Sequence, residues 1–583
     1  MNPLSSAADL LADRYPSLAF LLQIDEDKTA PLRELKAKEQ WPAATAVANI
    51  DVLYIYGLGL GQGYDHFHSW LEANEQRQLV FIEEHLPALR FFLTTGLAPE
   101  LLRHPRVHIR FSLDQKRVKH FAAECAADFP VEHIEVIAST SYKNSRFYRL
   151  RNLLLRATTV EHALVVEGLH YHLLAKNFFA NYFHFSTASA ANELAGKFRK
   201  VPAVICGAGP SLSDEIDQLR ALDNRALVIA GGSAITALSQ RGIVPHMAVA
   251  IDPNFEEYDR FRSSFAFEVP LFYVNRVHPR IFATCNGPLG YLHTLIGGTA
   301  EMWMEEKLKI SSIPLKEGFD IEAMSVTTTA IELAYAMGCD PIILVGIDLA
   351  FTGRSSYIAG VVPNPALQVQ QRTAETRVSE KLLRRKSRTG KSIDTLVKWV
   401  MEASAISRFA AKHRSVKWIN ATAGGLGFEK IPYRPLSAVA FDQTFDLRGR
   451  LAVAIEERRF SVKQKEINAA FKELRQSLRV AAKHCCIACE ELARTKDQRE
   501  DPETGKLMFA WIEIEELAAY QALLKPAWLT LTRTLDQRYP TMGALSQRES
   551  WARKRRILEE KWHSLNHLIA FYAAQLDLVL AQN

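Results

Sequence analysis

The sequence predicts an α/β protein with an α-helical C-terminal part. Three observations carry that expectation. Between residues 50 and 440, short apolar runs end repeatedly in Gly-rich turns or single acids, as in parallel sheets with crossover helices. From about residue 445 the apolar residues recur at helical spacing, with few β-branched runs. The 583 residues, 48% hydrophobic and 23% charged, allow two to four domains whose cores need no covalent staples.

The first domain is expected over 1–145, an α/β accessory domain with a helical N-terminus. Residues 1–48 read as helices broken at Pro16 and Pro31. Asp51-Val-Leu-Tyr-Ile-Tyr56 is a strand leading into Gly57-Leu-Gly-Leu-Gly-Gln-Gly63. Leu79-Val-Phe-Ile-Glu83 is the next strand and ends in an acid. A glycine turn after one strand and an acid after the next is how Rossmann-like dinucleotide and methyltransferase folds begin, the acid taking ribose hydroxyls. The glycine spacing here fits no strict fingerprint, so the glycines are read as serving the turn alone. Val107–Phe111 and His133–Ile137 continue the sheet.

The second domain is expected over 146–440, with leading helices to about 195. His170-x-His172 lies in those helices, but residues two apart face different sides of a helix, so a metal is not expected there. The stretch that organises the rest is Val201–Asn254. A short apolar run ends in Gly207-Ala-Gly-Pro-Ser211, a helical segment follows, and two further apolar runs, Ala226–Ala230 and Met247–Ile251, precede Asp252. Ligands of a parallel sheet sit beyond the carboxyl ends of its strands, which is where Gly207, Gly209 and Asp252 fall. The expected fold is a doubly wound parallel sheet with a nucleotide at this edge. A Gly-x-Gly turn lets backbone N–H groups approach a phosphate, because no Cβ blocks the way, and Pro210 suits the first turn of the helix.

Further along, Leu271–Val274 is a strand, and Asn286–Gly290 with Gly297-Gly298 reads as irregular. Ser325-Val-Thr-Thr-Thr329 opens a capped helix that stops at Gly338. Pro341–Asp348 is a buried strand ending in a second acid, and Val416–Asn420 is the last strand. Helix N-termini favour anions, so Ser211, Ser325, Thr327 and Thr328 are candidate phosphate donors. Asp252 and Asp348 are candidates for ribose binding, for holding a divalent ion or for acting as a base. The basic run Lys381–Arg388 is read as a solvated helix end or loop.

The last domain, 441–583, is expected to be several packed helices with a polar loop at 495–506. Cys486-x-x-Cys489 lacks the second ligand pair of a structural zinc site and sits in a helical pattern, so its cysteines are read as small core residues.

Several classes are excluded. No Gly-x-x-x-x-Gly-Lys-Ser/Thr is present, so the chain is no P-loop NTPase, and no Gly-x-Ser-x-Gly elbow is present. Asp25-Glu-Asp27 has the form of a metal-dependent sugar transferase motif, but no strand leads into it. The net charge of +6 is spread along the chain, and no nucleic-acid partner is expected. Seven cysteines without framework spacing fit a reducing cytoplasm. No apolar run near the ~20 residues of a membrane span is seen, nor a signal peptide, so no stable membrane insertion is expected.

Gly207-Ala-Gly-Pro-Ser-Leu212, Ala250-Ile-Asp-Pro253, Ser325-Val-Thr-Thr-Thr329, Val345-Gly-Ile-Asp-Leu-Ala350 and Asn420-Ala-Thr-Ala-Gly-Gly425 together resemble the successive motifs of the Maf (motility accessory factor) glycosyltransferases, whose core is also called MptE-like. The core in turn resembles the bacterial CMP-sialic acid transferases. The resemblance implies a cytoplasmic enzyme that transfers a nonulosonic acid of pseudaminic or legionaminic type from its CMP form onto Ser or Thr of flagellin. It implies that Gly207, Gly209, Pro210 and Ser211 hold the nucleotide, and that Tyr357, in Ser355-Ser-Tyr357, contacts the leaving phosphate. Asp252 and Asp348 are the catalytic candidates, and no metal ligand is assigned, although a divalent cation is compatible with them. The sialyltransferases place a histidine beyond the Ser-Ser-Tyr block; this chain has none between Tyr357 and His413, which leaves the base open. Two alternatives stand beside this reading: an MptE-like pyrophosphokinase moving pyrophosphate from ATP to a hydroxymethylpterin, and a non-enzymatic factor that holds flagellin for motility.

Overall fold

The computed structural model describes residues 6–24, 39–111, 115–126, 128–294, 298–310, 318–319, 325–352, 355–361, 381–495, 501–538 and 547–582. Asp25-Glu-Asp27, Pro31, Gly297 and residues 496–500 of the polar loop lie outside them. The chain divides into two compact units, 1–167 with 534–550, and 168–533 with 551–583.

In the first unit, β1 (Val52–Tyr56), β2 (Gln78–Glu83), β3 (Val107–Phe111) and β4 (Ile134–Ala138) form a parallel sheet in the order β3-β2-β1-β4. Glu83, at the end of β2, is buried. One of its oxygens accepts from Leu58 N at 3.0 Å, and the other accepts from the N–H groups of Glu84 and His85 at 2.8 and 2.9 Å. Burial raises its carboxyl pKa, and these N–H groups pull it back. The acid therefore pins the glycine turn after β1 and the start of the next loop. Its oxygens are spent on backbone rather than offered to a ribose.

In the second unit, β5 (Ala188–Ala190), β6 (Ala203–Cys206), β7 (Leu227–Gly231), β8 (Met247–Ala250), β9 (Leu271–Tyr273), β10 (Leu289–Tyr291), β11 (Ile342–Val345) and β14 (Trp418–Asn420) make one eight-stranded sheet in the order β14-β11-β6-β7-β8-β9-β10-β5. Every pairing is parallel. β12 (Leu382–Lys386) and β13 (Ser392–Leu396) form a separate antiparallel hairpin. The expected strands around Val201–Asn254 are present. Two strands of this sheet lie where none was expected: β5 inside the stretch read as helical, and β10 inside the Gly/Pro stretch read as irregular. Each has three residues, too short to show a period.

Residues along β6, β7 and β8 alternate between two cores. Val204, Cys206, Val228 and Ala248 face one, and Ala203, Ile205, Leu227 and Met247 face the other. Strands covered on both faces read as continuous apolar runs, which is why periodicity alone marks them poorly. The first core also takes Phe471, Leu474 and Leu478 from the 31-residue helix Gln464–Arg494. Leu565, Tyr572 and Leu576 from Gln547–Gln582 join the same core. The segment Glu549–Gln582 is long and apolar enough to cross a membrane by length and composition, contrary to the reading of the sequence, yet it gives these side chains to the core. Cys486 and Cys489 lie within Gln464–Arg494, but Cys486 is exposed and Cys489 half-buried; the cysteine buried in the core is Cys485 beside them.

Candidate active site

The chain runs outward from β6 through β7, β8, β9 and β10, then returns to the other side of β6 as β11. The connections after β6 and β11 therefore lead toward opposite edges of the sheet, and this switch point is where doubly wound sheets open a crevice. A cleft lies there, lined by Gly207, Gly209, Asp252, Ser325, Thr327, Asp348 and Tyr357 among others. Pro210 and Ser211 follow directly in the first turn, where Pro210 opens a short 3-10 segment, Pro210–Glu215.

The glycine turn does something other than what its sequence suggests. Gly207 N donates to Val345 O and Gly209 N to Gly346 O, both at 2.8 Å. A Cβ on Gly209 would overlap the Asp348 carboxylate and come within 2.7 Å of Gly346 O. The glycines let two strand-end loops touch, so their N–H groups are not the phosphate cradle expected of them. Asp348 Oδ2 accepts from Ser211 Oγ at 2.7 Å and from Ser211 N at 3.3 Å. Burial raises the Asp348 pKa, and the Ser211 bonds lower it. Behind it, Leu349 holds φ +50°, an uncommon conformation for an apolar side chain that costs roughly 1–3 kcal/mol. The 420–425 block buttresses the same loop. Thr422 Oγ1 accepts from Ile347 N at 3.1 Å, and Gly425, at φ +71°, leaves no room for a Cβ against Asp348 O.

Ser325 and Thr328 are likewise engaged. Ser325 Oγ accepts from Thr328 N at 3.1 Å, and Thr328 Oγ1 accepts from Ser325 N at 2.8 Å, a reciprocal cap on the helix Val326–Ala336. Ser325 Oγ also donates to Glu402 Oε1 at 2.6 Å. Of the three expected hydroxyls on this terminus, Thr327 lines the cleft, whereas Thr328 is fully buried beneath the cap. Burial pushes Glu402 up to about 7. Ser325→Ala removes a cap worth about 0.5–2 kcal/mol and strips Glu402 of a donor. The variant is expected to unfold at lower denaturant concentration with an unchanged m-value; an unchanged midpoint contradicts the cap.

Asp252 follows β8, and the helix Phe255–Arg262 begins three residues later. One turn of that helix brings Glu257 and Arg260 into the cleft wall. Arg260 Nη1 lies 3.0 Å from Glu257 Oε2 and 3.8 Å from Asp252 Oδ2. Burial raises Asp252, and Arg260, Arg276 and Lys398 oppose the rise. Its side chain is 45% exposed, so water screens much of both effects. Glu257 is fully buried, and burial followed by the charge of Asp252 pushes it up to about 8. A carboxyl raised in the fold contributes its stability below its ordinary pKa and loses it as pH climbs through the folded value. Relative to Glu257→Gln, the wild type is therefore expected to lose stability between about pH 5 and pH 8, by a few kcal/mol at most. Denaturant unfolding at the two ends of that range checks this; parallel pH profiles for the two proteins contradict it.

Tyr357 closes the cleft from the β11 side and packs against Phe351 and Leu396. The hairpin borders it: Phe351 N donates to Asp394 O at 2.9 Å, and Thr395 Oγ1 to Leu349 O at 2.7 Å. The basic run Lys381–Arg388 is thus mainly a strand of this hairpin rather than a helix end. Trp399 and Glu402 enter the cleft from the helix Val397–Lys412.

The cleft therefore collects Asp252, Asp348, Gly207, Gly209, Thr327 and Tyr357 from five separate stretches of chain. It also holds four residues the sequence reading missed: Glu257, Arg260, Trp399 and Glu402. The Glu257/Arg260 spacing, an acid and a base three apart directly after a strand-end acid, was a usable signal. Among the described residues no three His, Cys, Asp or Glu side chains converge as a metal site, and Asp348 already accepts from Ser211. What the described residues of the site offer is one guanidinium, hydroxyls and two strand-end carboxylates of different exposure.

Residues 176–354 match the family model described as 6-hydroxymethylpterin diphosphokinase MptE-like. A search of curated proteins returns no match. Among solved structures, the chain is similar to the Maf glycosyltransferase from Magnetospirillum magneticum AMB-1, with a TM-score of 0.51 and 13% identity, over 99% of this chain and 98% of that one. Residues 176–354 thus carry an MptE-like domain, and the chain as a whole has the fold of a Maf glycosyltransferase.

Proposed function

We propose that this chain is a protein O-glycosyltransferase that moves a nonulosonic acid of pseudaminic or legionaminic type from its CMP form onto Ser or Thr of flagellin, in the cytoplasm. The fold shared with a Maf glycosyltransferase supports the transferase class, and the five-block motif resemblance supports the donor and acceptor. The observation that carries the reading is the switch-point cleft, where four of those blocks form the wall with Arg260 and the fifth, 420–425, backs the Asp348 loop. In the reaction, the acceptor oxygen bonds the anomeric carbon, the bond from that carbon to the phosphate oxygen breaks, and CMP leaves with the electron pair. Arg260, Thr327 and Tyr357 stabilise the charge growing on the phosphate. The half-exposed Asp252 takes the acceptor proton. Asp348, held by Ser211, positions the turn. Calorimetry with CMP tests the reading. Binding to the wild type and none to Gly209→Trp is expected; no wild-type binding, or equal binding by both, contradicts it.

The family-model match favours a second reading, pyrophosphate transfer from ATP to a hydroxymethylpterin. That chemistry would need a divalent cation to offset phosphate charge; Asp252 and Asp348 would hold it, and Asp348 would have to give up its Ser211 bonds. AMP formed from Mg·ATP and the pterin would establish it over the first.

A further inference from the structure

The helix Val397–Lys412 has two working faces. Trp399 and Glu402 face the cleft just described. Val400, Ala403, Ser404 and Arg408, on the neighbouring face, line a separate recess of about 510 Å³. Three elements supply its cations: Arg385, Lys386 and Arg388 come from the hairpin, Arg408 from the helix and Lys430 from the loop after β14. Of these, Lys386, Arg388, Arg408 and Lys430 make no ion pair with a described residue. Arg388 spends its guanidinium on Ala423 O, at 2.9 Å from Nη2, and on the face of Tyr433, 3.7 Å from the ring centre. Among the described residues, Glu429 is the one acid on the wall. The floor is apolar, made by Ala403, Leu426 and Phe428.

Unpaired like charges around one recess repel one another, and a bound anion relieves that cost. The volume falls within the range of organic-ligand pockets, about 300–1,000 Å³. An apolar floor under a basic rim suits a chain that carries both carboxylates and an apolar side chain. The geometry points to a docking site for an acidic peptide segment in this recess. Identifying that segment as part of the acceptor protein rests on the transferase reading above. A helix with its side chains is about 10 Å across, and an extended chain covers about 3.3 Å per residue. The carboxylates are therefore expected about three residues from the acceptor hydroxyl.

Fluorescence anisotropy with the full chain tests this. The probe is a fluorescein-labelled peptide of about twelve residues, with one central serine, a leucine beside it, and two glutamates three and four residues away. Its partner carries glutamine at both positions. The glutamate peptide is expected to bind at least tenfold tighter, to weaken with added salt, and to lose its advantage in Arg408→Ala/Lys430→Ala. Equal binding of the two peptides, or an unchanged preference in the double variant, overturns the proposal. Displacement of the peptide by micromolar inorganic phosphate also overturns it, in favour of a small-anion site. CMP titration of the same proteins is read separately. A chain that binds the glutamate peptide but not CMP refutes the transferase reading and leaves the acidic-peptide site standing.

Discussion

Gly209→Ala is expected to abolish nucleotide binding and to destabilise the sheet unit by about 3 kcal/mol. The added methyl overlaps the Asp348 carboxylate, which Ser211 holds in place, and crowds the backbone oxygen of Gly346. Overpacking of this kind costs roughly 1–3 kcal/mol. If Asp348 turns away instead, the Ser211 hydroxyl and N–H lose their acceptor, at roughly 1–3 kcal/mol for a buried group left unmet. The loops after β6 and β11 then part, and the switch-point cleft changes shape. Denaturant unfolding and CMP calorimetry on one protein preparation read both effects. A variant of wild-type stability and affinity would show that the contact between these loops is dispensable.

Arg260→Ala is expected to lower turnover by roughly 10²-fold, the usual loss when a donor aimed at developing charge is removed. The same change leaves Glu257 buried without its cation partner. Breaking such a pair costs up to about 3–5 kcal/mol, and less below pH 8, where Glu257 carries a proton. The double variant Glu257→Gln/Arg260→Ala separates the roles. It is expected to recover stability but not turnover, because glutamine needs no counter-charge while the leaving phosphate still does. Recovery of turnover in the double variant would make Arg260 a partner of Glu257 and nothing more.

Much of this site was legible in the sequence because strand ends are local. Gly207–Ser211 and Asp348 each follow a short apolar run, and parallel topology brings such ends to one edge. What the sequence did not convey was how those groups are used. Glycine after a strand signals close approach, but not whether the approaching group is a phosphate or, as here, another backbone. Ser325 and Thr328 carry both an anion-site signal and a capping signal, and the cap claimed the hydroxyls. Arg260, Trp399 and Glu402 reach the cleft from helices whose docking depends on the packed sheet, so spacing along the chain hides their convergence. The hairpin was misread because Arg384, Arg385 and Lys386 break the apolar alternation of an exposed two-stranded element, though Gly390, at φ +83°, marked its turn.

The most direct test is intact-mass analysis of unmodified flagellin after incubation with the chain and a CMP-activated nonulosonic acid. Sugar transfer predicts flagellin heavier by whole nonulosonic acid residues, one CMP released per residue added, and a gain roughly 10²-fold slower with Arg260→Ala. Flagellin of unchanged mass with the wild type, under conditions where Mg·ATP and a hydroxymethylpterin yield AMP, would contradict it.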